Sequence, residues 1–175
     1  MACQQLEAAL ENLKGTGYDK YPISPQTPPL PQGYNCIAYA AGHTDRTWWP
    51  SVNKLYFWPD HLPRQHPGTE TQENFIRAFE WKGYTVCKDG QHRRGIEKVV
   101  IFLKDNRPTH AARQLESGRW TSKCGSLEDI EHETLFAVEG TAYGKAVIFL
   151  HRRTDGKPFW RQRMKGWVRK LFFRD

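Results

Sequence analysis

Apolar positions along the chain fall into two regimes. In the first half they recur at helical spacing. Leu6, Ala9, Leu10 and Leu13 form one stripe, which predicts a helix over residues 3–14 stopped by Gly15 and Gly17. Good helix formers fill 36–41 between Asn35, a suitable N-cap, and Gly42, a suitable C-cap. Phe75, Ala78 and Phe79 mark a third helix, opened by a capping box at Thr69-Glu70-Thr71-Gln72 and ended at Gly83. In the second half the runs are short and nearly unbroken. KVVIFL (98–103) and KAVIFL (145–150) read as buried strands. Residues 105–108 read as a turn, and 109–115 with 119–124 as a hairpin around Ser117-Gly118. Helices first and strands later is the α+β order.

Five prolines between 22 and 33 (Pro22, Pro25, Pro28, Pro29, Pro31) exclude regular structure there and predict a surface strap. Residues 44–68, rich in Trp, Pro and His, read as a long irregular loop whose Trp48, Trp49, Tyr56 and Trp58 either line a substrate groove or, as is preferred, cover the core. The expected organisation is an N-terminal helix and strap (1–32), a domain (33–153) and a C-terminal tail (154–175).

Length and charge refine this picture. The 175 residues suit one domain, and 38% hydrophobic content is enough to fold. No run of 18 apolar residues spans a membrane, and the start lacks a basic flank before an apolar run, so the expected location is the cytoplasm with reduced thiols. Of 26 Lys and Arg and 19 Asp and Glu, nine and two lie in 151–175, so the net charge of +7 resides entirely there. Helical spacing from Pro158 to Arg174 puts Trp160, Met164, Trp167, Val168 and Leu171 in one arc and cations elsewhere, a basic amphipathic helix. Arg161, Arg163, Lys165, Trp167, Arg169 and Lys170 are its candidate partner-binding residues. The tail either docks on its own domain or engages a protein partner, an anionic membrane or nucleic acid.

One constellation carries chemistry. Cys36 at a helix start would gain thiolate character from the helix dipole and free N–H groups. His110, beginning a strand beside Ala111 and Ala112, is the candidate proton partner, and Asn35 a candidate oxyanion donor. Asp129, emerging where the hairpin partner ends, is the candidate for orienting His110. Hairpin register decides which neighbour shares the His110 face: a two-residue loop puts Lys123 there, a three-residue loop Ser122. His132 is a further candidate for the shell around the site. The competing reading makes Cys36 a small core residue and His110 a buried hydrogen-bonding group. Neither a CxxC pair nor a helical HxxxH supports a metal at His61 or His66, and no cofactor is expected.

Several blocks in the same order, NCIAYAAG (35–42), GIEKVVIF (95–102), THAARQL (109–115), GRWTSKCG (118–125), LEDIEHET (127–134) and YGKAVIFLHR (143–152), resemble an uncharacterised bacterial family, a domain of unknown function found as short stand-alone proteins. Its signature maps onto Cys36, His110, Trp120, Ser122, Lys123, Asp129 and His132. The usual SKLG is SKCG here, which makes Cys124 an expected core residue. The order of helix Cys and strand His is similar, more distantly, to papain-like and transglutaminase-like hydrolases, although no Asp follows Trp120 closely as in the latter. That similarity implies a papain-like arrangement: a short Cys-bearing helix and a longer helix packed on an antiparallel sheet. Two functions follow as expectations. One is a cysteine-dependent peptidase or amidase acting on a peptide or amide substrate through Cys36, His110 and Asp129. The other is a non-catalytic binding or accessory protein acting through its basic tail.

Overall fold

The structure is a computed structural model that describes residues 2–14, 16–20, 33–51, 55–64 and 69–157. The Pro-rich strap beyond Lys20 and the predicted tail helix, with Arg161, Arg163, Lys165, Trp167, Arg169 and Lys170, lie outside these residues.

Among the described residues three α-helices, α1 (Ala2–Ala9), α2 (Cys36–Ala40) and α3 (Gln72–Trp81), accompany seven strands. The strands are β1 (Tyr18–Lys20), β2 (Thr85–Cys87), β3 (Ile96–Lys104), β4 (Arg107–Gln114), β5 (Trp120–Lys123), β6 (Asp129–His132) and β7 (Lys145–Arg153). They form one antiparallel sheet in the order β1-β6-β5-β4-β3-β7-β2. This is a mixed α/β architecture.

The unbroken apolar run of β3 is explained by burial on both faces of the sheet, whereas KAVIFL in β7, expected to be buried, is fully buried only at Leu150 and leaves Val147 half exposed. Along β3, Val99, Ile101 and Leu103 enter one core with α2, α3, Trp48 and Trp58. Val100 and Phe102 enter a second core with Leu6, Leu10 and Leu13. The two cores are called here the α2 face and the α1 face. Trp48 and Trp58 are buried within the first, as the reading of a core-covering loop expects.

Helix ends shift from their expected places. α1 stops at Ala9 and continues as a tight turn, with Leu13 N bonded to Leu10 O at 2.9 Å. The turn carries Leu13 back onto the sheet, and Ala9 is left exposed. α2 begins as expected, because the Asn35 side chain accepts from Ala38 N. α3 is capped by Thr71, which accepts from Asn74 N, and not by Thr69. Thr69 instead presents its carbonyl to the Asn74 side chain at 2.8 Å.

Two turns set the strand pairing that matters for the site. Asp105 and Asn106 both have positive φ (50° and 62°) and join β3 to β4 directly, so β4 starts at Arg107. Leu115 N bonds Arg119 O at 2.8 Å, leaving a three-residue loop, Glu116-Ser117-Gly118. Ala112 therefore lies opposite Ser122, and Ser122, not Lys123, shares the face of His110.

Candidate functional site

Asn35 is a small hub. Its Oδ1 accepts from Ala38 N at 3.1 Å and from Trp48 N at 3.2 Å, and its Nδ2 donates to Trp48 O at 2.9 Å. One amide caps α2 and fastens the aromatic loop to it, so it is engaged on both sides and does not face an open oxyanion position.

Cys36 opens α2 against the β4 backbone, with Sγ 4.0 Å from Thr109 O. It is half-buried and packs against the core of the α2 face. Burial pushes its thiol up to about 11, because desolvation outweighs the backbone N–H groups and the Lys123 ammonium that favour the thiolate. A five-residue helix start does not offset that loss of water.

His110 points the other way. It pairs with Phe102 across the sheet and its ring meets Phe102 edge-on at 5.2 Å, on the α1 face. Tyr143 stacks on it at 4.0 Å. The sheet thus lies between Cys36 and His110, and the expected nucleophile–base pair is not formed. The cause is the alternation of β4: Ala111 faces α2, while His110 and Ala112 face away from it.

His110 belongs instead to a buried relay. Its Nε2 is 3.2 Å from Ser122 Oγ, which is 2.9 Å from His132 Nε2, and His132 Nδ1 is 2.8 Å from Thr134 O. A carbonyl only accepts, so His132 carries its proton on Nδ1 and accepts at Nε2. Ser122 donates to it and accepts from His110 Nε2–H. His110 Nδ1 is left as a buried lone pair with no partner. Both rings are therefore neutral, and burial lowers His110 to about 3 and His132 to about 4.

Asp129 does not orient His110 either. It sits on the α2 face, where Tyr34 donates to its Oδ2 at 2.5 Å and the Lys123 ammonium lies 3.4 Å from Oδ1. Lys123 is wholly buried, donates to Leu127 O and lies over the Tyr34 ring at 5.5 Å. Tyr39 and Thr121 exchange a hydrogen bond of 3.0 Å on the same face. The seven domain residues singled out in the sequence thus divide between the faces: Asn35, Cys36, Lys123 and Asp129 on one, His110, Ser122 and His132 on the other. Cys124 is buried, as the SKCG block suggests. Among the described residues no group of three His, Cys, Asp or Glu side chains could hold a metal ion, and no helix is long and apolar enough to cross a membrane.

A feature not read from the sequence lies at the other end of the sheet. Lys82, Thr85, Glu97, Arg152, Arg153 and Lys157 line a cleft of about 740 Å³. Arg152 pairs with Glu97 at 2.8 Å and stacks on Tyr84 at 4.5 Å. Arg153 pairs with Asp155 at 2.7 Å. Lys82 meets the neutral His43 ring at 3.1 Å, and desolvation together with Arg152 lowers its pKa. Next to Lys82, Trp81 ends α3 with half of its surface exposed. Its position off the Phe75–Ala78–Phe79 stripe was a legible sign of that exposure.

Fold and site together define a mixed α/β domain with an antiparallel sheet, two polar clusters separated by that sheet and a cationic end. The chain belongs to the family described as a domain of unknown function (DUF7689), whose family model matches residues 25–151. No curated protein and no solved structure matches the chain.

Proposed function

We propose that this chain is a non-catalytic binding module that engages a polyanionic partner through the cationic end of its sheet, and that it is not a Cys36-dependent peptidase or amidase. The observation that carries the reading is the placement of Cys36 and His110 on opposite faces of the sheet. A thiol with a raised pKa whose candidate imidazole, His110, lies across the sheet is a poor nucleophile. The papain-like comparison loses its functional content with that pair.

What supports the binding half is charge. Four cations line the cleft beside β2 and β7; Glu97 holds Arg152 and Asp155 holds Arg153 and Lys157, while Lys82 has no carboxylate bridge among the described residues. The chain leaves β7 there and carries six further Lys and Arg between 158 and 175 against one Asp. Residues 1–150 are balanced, so a polyanion has one favoured approach.

The test is binding of the full chain to heparin followed against salt. Binding is expected to fall steeply between about 50 and 200 mM salt. Ending the chain after Lys157 is expected to weaken it by about ten-fold or more and to flatten the salt slope. Cys36→Ala is expected to change nothing beyond about two-fold, because the thiol faces the core. Peptide or amide turnover by the full chain that disappears in Cys36→Ala overturns the reading, as does heparin binding that is absent at low salt.

A further inference from the structure

The surface beside the cleft combines aromatic rings with cations. Trp81 is 50% exposed, the remainder of its ring resting on Trp48 and Phe57 with centroids 6.0 and 5.9 Å away. Trp48 is itself buried and meets Phe57 at 4.9 Å, so the three rings form a mutually tilted cluster that holds the indole. Cations lie close by: the Arg46 guanidinium, paired with Asp45, lies over Phe57 at 5.4 Å, and the Lys82 ammonium lies over the Trp81 ring, 5.6 Å from its centroid. Lys82 then leads directly into the cleft with Arg152, Arg153 and Lys157.

An acidic peptide would use the cations and leave the indole idle. A half-exposed indole beside a lysine ammonium matches a chain that alternates flat bases with phosphates. Base stacking is sequence-tolerant and needs unpaired bases, whereas a duplex hides its base faces. We infer that the polyanion is single-stranded nucleic acid, with Trp81 as the base-stacking platform and Lys82 and the adjoining cleft as the phosphate track. This inference rests on the binding-module reading above and adds the class of partner.

Lys82 suits its role because the groups its ammonium meets are a neutral His43 and an aromatic ring. A phosphate would supply the counter-charge that His43 cannot. Arg152 and Arg153, already held by Glu97 and Asp155, shape the cleft wall more than they neutralise a ligand.

The experiment compares a fluorescein-labelled single strand of about twelve nucleotides, a duplex of the same sequence and heparin, by anisotropy with the full chain. The single strand is expected to bind more tightly than the duplex. Trp81→Ala and Trp81→Leu are expected to weaken it by roughly 5- to 100-fold, while Trp81→Phe stays within a few-fold of the native chain. The Leu variant keeps apolar cover over Trp48 and Phe57, so it reports on the π face if the Ala variant fails to fold. Lys82→Gln is expected to lower the salt slope by about one. The inference is overturned if the duplex binds as tightly as the single strand, or if Trp81→Leu binds like the native chain. Heparin binding that persists in those cases leaves the binding-module reading standing. If neither heparin nor the single strand binds at low salt, both fall together.

Discussion

Acidification offers a direct reading of the His110–Ser122–His132 relay. In the folded chain both rings are neutral: His110 titrates at about 3 and His132 at about 4, against an ordinary value of 6.5. A base whose pKa is lowered by folding leaves the unfolded chain holding more protons below pH 6.5, so stability is full above that value and is lost as pH falls toward the folded pKa. At pH 5 each ring is about one and a half units below the unfolded value, and each costs about 2 kcal/mol at roughly 1.4 kcal/mol per unit. The pair together removes about 4 kcal/mol between pH 8 and pH 5, a large share of a typical domain stability of roughly 5–15 kcal/mol. His43 and His151 are shifted in the same direction but are only partly buried, so they add less. Asp45, Asp89 and Asp155 are lowered carboxylates, whose contribution is lost only at more acidic pH. Urea unfolding at the two pH values measures the difference. His110→Gln isolates one ring, because its amide keeps a donor for Ser122 and has no proton to gain. The variant is expected to lose about 2 kcal/mol less on acidification than the native chain. An undiminished loss in His110→Gln, or a native chain as stable at pH 5 as at pH 8, refutes the neutral relay.

The remaining predictions concern the α2 face. Asn35→Ala removes the α2 cap and both bonds to the Trp48 backbone, and is expected to cost about 2–3 kcal/mol in urea unfolding; Asn35→Asp keeps the accepting oxygens and costs less. Lys123→Met strands the Asp129 carboxylate and is expected to cost about 3–5 kcal/mol, while Lys123→Met with Asp129→Leu recovers most of that in a double-mutant cycle.

What could be read from local pattern was read from residues whose behaviour depends on near neighbours. The Phe75–Ala78–Phe79 stripe is buried in α3, Asn35 caps α2, and KVVIFL and KAVIFL lie in β3 and β7. The short strands β1 and β2 escaped notice because three residues carry too little periodicity to mark an element. Thr69 and Thr71 both suit an N-cap, and the choice between them rests on where Asn74 reaches. The grouping of the singled-out site residues was not legible in the sequence. Cys36, His110 and Asp129 were joined by their order along the chain, which carries no information about sheet faces.

By itself, then, the amino-acid order determined the element types, the balance of charge over 1–150 and the cationic excess beyond it. Only tertiary structure decided what meets what. A three-residue loop at Glu116-Ser117-Gly118 put Ser122 beside His110, and the alternation of β4 turned that imidazole away from Cys36. The physical reason is that side chains on a strand change face at every residue, so partnership depends on the parity of pairing across the sheet. The same packing brought the adjacent Trp81 and Lys82 beside the distant Arg152, a surface that no local stretch encodes.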